Sequence, residues 1–158
     1  MKWKNWLENW EMSSLKIKAP FLETTWQPND ADKTAAWELY VELLTRISTQ
    51  NLEREQGDEE TALKSIYSLF DTTRELMKRH GRDCREFNRI AVIVLNQIIR
   101  PFTAKWHKRM SDDEFKKEEV CIEFRRELLN LQVKLKNYAR MLSDMAGVED
   151  LTGLEELR

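Results

Sequence analysis

Two histidines, His80 and His107, and two cysteines, Cys84 and Cys121, are the residues of this 158-residue chain best suited to proton transfer or soft-nucleophile chemistry near neutral pH. They are also its only soft metal ligands. None repeats at zinc-site spacing, and the Glu-x-x-His pairs that hold di-iron centres in helical bundles are missing, so no metal site is expected. The four glycines stand apart from one another, which leaves no phosphate-cradling loop, and no Gly-x-Ser-x-Gly elbow occurs. The sequence asks for no cofactor.

His107 closes the segment Arg100-Pro-Phe-Thr-Ala-Lys-Trp-His107. A separation of seven positions puts both ends nearly on one helix face, ~10 Å apart along the axis, close enough to converge on one phosphodiester. The spacing resembles the Arg-x(4 to 6)-His element of the helical-bundle ribonucleases known as HEPN domains, over these two positions and the all-α class. That resemblance implies a metal-independent ribonuclease in which His107 moves a proton and Arg100 stabilises a phosphate, usually across a dimer. Pro101 stands where that family often carries a small polar residue. The competing explanation is a helix end whose cations are favoured by the macrodipole alone. The second such spacing, Arg74 to His80, places its ends on different helix faces.

Basic residues gather at two poles, Lys78, Arg79, His80, Arg82, Arg85 and Arg89 at one and Arg100, Lys105, His107, Lys108 and Arg109 at the other. Arg79, Arg82, Arg85 and Arg89 are the better candidate for an anion, a nucleotide or RNA. A net charge of -2 gives no global field toward nucleic acid or an anionic membrane. The acidic set Glu114, Glu118, Glu119, Glu123 and Glu127 alternates with Lys116, Lys117, Arg125 and Arg126, the pattern of a solvated helix face laced with ion pairs.

Few glycines and prolines, 41% apolar residues and 34% charged ones point to an all-α domain of long helices. The first helix is expected from Asn29 or Asp30 to Gln56, stopped by Gly57, with Trp37, Tyr40, Val41, Leu44, Ile47 and Leu52 as its stripe. A second spans Asp58 to His80, with Leu63, Ile66, Tyr67, Phe70 and Met77 inward and Gly81 as its stop. A third runs from Asp83 to Lys108 or Arg109 and kinks at Arg100-Pro101. The fourth opens at a capping box, Ser111 to Glu114, and reaches Met145 before Gly147. Its seam of Cys121, Phe124, Leu128, Leu131, Leu135, Tyr138, Leu142 and Met145 steps by three and four, as in helices packed at a shallow angle. Short turns between them predict an up-down-up-down four-helix bundle over 29–146. Residues 1–28 form a Trp-rich arm, a short helix bearing Trp3, Trp6, Leu7 and Trp10 followed by an extended Leu15 to Leu22, and 147–158 a flexible acidic tail.

The third helix is apolar on nearly every side, from Ile90 to Leu95 and on through Ile98 and Ile99, so something must cover its outer face. Either the Trp-rich arm folds back as a lid, or the face meets a second copy or another protein, with Trp3, Trp6, Trp10, Val92 and Ile99 as the interface. The functional expectation is thus a non-catalytic interaction or adaptor module that binds a protein partner or self-associates. The ribonuclease and a small anion sensor are the alternatives. No stretch approaches ~18 apolar residues and Met1 to Trp10 lacks a signal-peptide core, so a cytoplasmic location without membrane contact is expected.

Overall fold

The computed structural model describes residues 1–46, 48–50, 52 and 58–155. It is mostly helical, and among the described residues there is no strand, only an isolated antiparallel bridge between Lys2 and Thr25. No helix among them is long and apolar enough to cross a membrane.

Residues 1–28 begin with α1, Trp3–Asn9, which buries Trp3, Trp6 and Leu7 while Trp10 is half-buried. The following stretch is not extended to its end: Ala19–Leu22 makes a single helical turn, α2, with Pro20 in its first turn, where a missing N–H costs nothing. Trp3 and Trp6 meet edge to face at 5.2 Å, and Trp26 stacks on Trp6 at 4.7 Å.

Helix α3 spans Asp30–Leu44, opened by a capping box in which the Asn29 side chain accepts from Asp32 N and the Asp32 side chain accepts from Asn29 N. It is shorter than expected. Ser48 and Thr49 hydroxyls both donate to the Leu43 carbonyl, at 2.6 and 2.8 Å, and Gln50 Nε2 donates to Leu44 O, so side chains satisfy the helix end the backbone abandons. The buried face also differs: Asp32, Ala35, Ala36, Leu39, Tyr40 and Leu43 point inward, while Trp37 and Val41 are 44% and 38% exposed. Two alanines let the α3 backbone pack closely on α8, its main neighbour, and the bulkier residues fall outside. Ile47, Gln56 and Gly57 lie outside the described residues.

The expected second helix is divided into α4, Glu59–Tyr67, and α5, Leu69–His80. Asp58 caps α4 by accepting from Thr61 N at 2.6 Å. At the break, Ser68 Oγ donates back to Ser65 O at 2.7 Å, an alternative to regular helix pairing. Leu63, Ile66 and Phe70 are buried and Met77 is half-buried, but Tyr67 is half exposed. Gly81, at φ +79°, ends α5 in a conformation that suits glycine.

Helix α6, Arg85–Val94, and α7, Arg100–Ser111, are joined by a π-helical turn, Leu95–Ile99. Pro101 cannot donate to the carbonyl of Gln97; the wider turn ahead of it absorbs the mismatch without breaking the rod. The capping box at Ser111 does not form. Ser111 is the last residue of α7 and donates to His107 O, Asp113 adopts a left-handed conformation, and Glu114–Lys116 make a 3₁₀ turn. Helix α8, Glu118–Ala146, therefore opens after Lys117, with both Glu118 and Glu119 in its first turn, where the dipole favours them. Seven of its eight seam residues are buried and Cys121 is half-buried. Beyond Gly147, Leu151 N donates to Tyr40 Oη at 2.6 Å, and Arg140 reaches Thr152 and Asp150.

Two buried carboxylates join these pieces. Asp32 accepts from Asn29 N at the start of α3 and from Phe87 N at the start of α6, both at 2.9 Å. Glu86 accepts from Trp3 Nε1 at 3.0 Å, Gln27 N at 2.9 Å and Arg89 at 2.6 Å. Replacing Asp32 with Ala should cost about 2–4 kcal/mol in urea unfolding, since two helix starts lose their acceptor at once. Asp32→Asn, which keeps one carbonyl oxygen, should lose roughly half as much. A loss under about 1 kcal/mol for the alanine variant would contradict the double cap.

Candidate functional site

Arg100 and His107 lie on α7 and face the α4–α5 pair. The Arg100 guanidinium sits 4.8 Å above the Phe70 ring and its nitrogens donate to Asn96 Oδ1 at 3.3 Å. His107 meets Tyr67 edge to face at 4.7 Å. Arg74 approaches the same Phe70 ring at 5.7 Å. Two arginines and a histidine thus border one partly exposed aromatic strip, an arrangement that can accept a phosphate or simply pack. Two further cations of this pole are engaged across the helix interface: Lys105 pairs with Glu123 and Glu127, and Arg109 with Glu114 and Glu123. Hydrogen bonding to Glu127 and Glu123 raises the Lys105 ammonium above its ordinary range, and Arg109 and Lys105 lower the Glu123 carboxyl. Glu123 and Glu127 of α8 are therefore bonded to α7.

The arginines of the other pole are shared among different partners. Arg79 pairs with Glu38, which also takes His80 Nε2 at 3.0 Å. Arg89 pairs with Glu86 and lies over Phe21 at 5.3 Å. Arg85 and Arg89 line a cleft of about 410 Å³, but Asp32, Asp83 and Glu86 line it too. Its cations and carboxylates largely offset one another. Arg82 is exposed. Among the described residues no three His, Cys, Asp or Glu side chains come together to hold a metal ion.

Of the expected interface residues, Trp3, Trp6 and Ile99 are buried inside the chain, since α1 lies against the start of α6 through Glu86 and against α8 through Trp6 Nε1 to Asp144 at 2.8 Å. They are core, not surface. Trp10 is half-buried and donates to Asp144 at 3.4 Å, and Val92 is 42% exposed. Val92 lies in an open groove of about 490 Å³ with Ile17, Lys18, Phe21, Asn88, Arg89 and Ile93. Its lining is apolar apart from the Lys18, Arg89 and Asn88 side chains. At one end of the arm segment that lines it, Gln97, within the π turn, clasps the Lys16 backbone at both its N–H and C=O, each at 2.8 Å.

Sequence reasoning missed a second apolar surface, Ile122, Leu129 and Val133 on the outer side of α8, exposed by 54%, 55% and 62%. Its signal is the spacing of seven and four, displaced from the inner seam. No protein-family model, curated protein or solved structure matches this chain.

Neither thiol is set up as a nucleophile. Burial, with Asp32 adding to it, pushes the Cys84 thiol up to about 12, and its Sγ donates to Ala31 O at 3.4 Å. Burial also raises Cys121. In the native protein Cys84 should resist a thiol reagent at neutral pH until denaturant is added. Because the folded-state value lies above the ordinary 9.0, this thiol's contribution is intact below pH 9 and is lost as pH climbs toward 12, so unfolding midpoints should fall across that window. A Cys84→Ala variant should show a shallower fall.

Proposed function

We propose that the chain is a non-catalytic helical interaction module whose docking surface is the groove between α6 and residues 17–21. The carrying observation is the make-up of that groove: Ile17, Phe21, Val92 and Ile93 form its floor, Lys18 and Arg89 its rim, and no carboxylate lines it. A partner helix with one apolar face and acidic flanks fits both features. The arm is then a lid over most of the third helix and a wall of the site over the remainder.

The same reading includes the topology. The contacts of α3 with α8, α5 and α6, and of α4 with α7 and α8, support an up-down-up-down four-helix bundle over 29–146 with 1–28 folded on it. In that bundle α4 with α5, and α6 with α7, each count as one rod.

A second reading, a metal-independent ribonuclease using Arg100 and His107, is favoured by the way both residues, with Arg74, border the rings of Tyr67 and Phe70. The two readings separate on one preparation. Synthetic amphipathic helices with acidic flanks, titrated into labelled protein and followed by NMR, should shift Phe21, Val92 and Ile93. The Val92→Asp variant should bind about tenfold more weakly, ~1.4 kcal/mol. Equal binding by both proteins refutes the groove. Cleavage of RNA without metal should be absent; cleavage that disappears in His107→Ala would establish the ribonuclease instead.

A further inference from the structure

Residues 13–18 lie between two grooves. On one side is the Val92 groove, which Ile17 and Lys18 line; on the other, Met12, Leu15, Ile98 and Val133 line a second groove of about 770 Å³. The two follow one another along α6 and the π turn, the first over 88–93 and the second at 97–98. The clasp between Gln97 and Lys16 is the bar that separates them.

This segment is fixed at both ends and weakly held between them. Met12 is buried and its N–H donates to Leu7 O at 2.9 Å. Past the segment, Phe21 packs on Trp3 at 5.1 Å and Thr24 O accepts from Trp3 N at 3.0 Å. No side chain of 13–18 is buried: Leu15 and Ile17 are half-buried and the other four are exposed. Among the described residues, its hydrogen bonds to α6, the π turn and α8 are the two that Gln97 makes with the Lys16 backbone, and Gln97 is itself exposed. A short loop with pinned ends and few buried contacts opens at lower cost than the core around it.

Opening would change what the surface can hold. A helix docked in a groove is gripped through apolar residues spread from i to i+7, ~10.5 Å of rise. The Val92 groove runs over 88–93, only ~7.5 Å, whereas with the segment moved aside the floor continues to Ile98, ~15 Å in all. Arg89 lines the first groove and Lys134 the second, against one lining carboxylate, Glu11, so acidic flanks at both ends of an apolar helix each meet a cation.

We infer that residues 13–18 are a strap latched by the Gln97 side chain, and that releasing the latch joins the two grooves into one channel long enough for a partner helix. This rests on the reading of the α6 groove as the docking surface and adds that full engagement requires the strap to open. The tryptophan core keeps its place as the strap moves, because Met12 and Phe21 hold the two hinges.

Two measurements on the full chain test it. Trypsin reaches Lys16 and Lys18 only when the strap is open, so its rate there follows the open population. Gln97→Ala should be cut at these two sites on the order of tenfold faster than the native chain, having lost both latch bonds. Gln97→Glu, which keeps the acceptor for Lys16 N–H, should fall between them. Cutting after Lys33 in α3 should stay at the native rate, which separates an opened strap from a loosened fold. Synthetic amphipathic helices with acidic flanks, of two and of four turns, are then titrated into both proteins. The long peptide should bind Gln97→Ala roughly fivefold more tightly than the native chain, and the short one should bind both alike. Equal cutting of the two proteins at Lys16 and Lys18, or equal affinity for the long peptide, overturns the strap while binding of the short peptide leaves docking at Val92 standing. Failure of both peptides to bind either protein overturns the docking reading, and the strap's role with it.

Discussion

Taking a carboxylate out of water costs several kcal/mol unless donors replace the lost hydration, and Asp32 and Glu86 are both almost fully buried. The donors that replace it come from separate parts of the chain. Asp32 serves the first backbone N–H groups of α3 and α6, and Glu86 serves Trp3, Gln27 and Arg89. Asn29 adds a further link, its Nδ2 donating to Asp83 O at 2.7 Å. Together these bonds tie the arm to α6 and the start of α3 to the start of α6, just after the turn at Gly81. Negative charge at two helix starts is also where the dipoles favour it.

From that junction the remaining surfaces follow. The arm returns along α6 only as far as Gln97 can hold it, and Gln97 is in position because the chain widens into a π turn before Pro101. Between the clasp at Lys16 and the pinned indole of Trp3, residues 17–21 stand off from α6 and leave the groove at Val92. The outer strip of α8 has another origin: the inner seam of that helix is filled by Phe124, Leu128, Leu131 and Leu135, and Ile122, Leu129 and Val133 have no place left among them.

The helical class was legible because apolar residues recur at three and four over long stretches with few glycines, and the α8 seam and a cap at Asn29 or Asp30 could be read from the sequence. The buried face of α3 could not. Size suggested Trp37 and Val41, whereas close approach to α8 favours Ala35, Ala36 and Leu39, a preference that belongs to the neighbour and not to the helix. Nothing in the sequence singles out Asp32 or Glu86, since the donors that make their burial tolerable lie 55 and 83 residues away in Phe87 and Trp3. The Ser111 to Glu114 box had the right letters, but α7 continues through Ser111 and removes it from service as a cap. The spacing of Arg100 and His107 was visible too; their shared aromatic border on α4 and α5 became apparent only once the helices were packed.

Hydrogen–deuterium exchange followed residue by residue, on the native chain and on Glu86→Ala, tests the central claim that the arm is part of the core because Glu86 holds it. In the native chain the amides of Trp6 and Leu7 should exchange as slowly as those of Ile90 to Val94, and in the variant those of 1–27 should speed up sharply while α8 keeps its protection. Fast exchange of Trp6 and Leu7 in the native chain, or an arm equally protected without the Glu86 carboxylate, would contradict it.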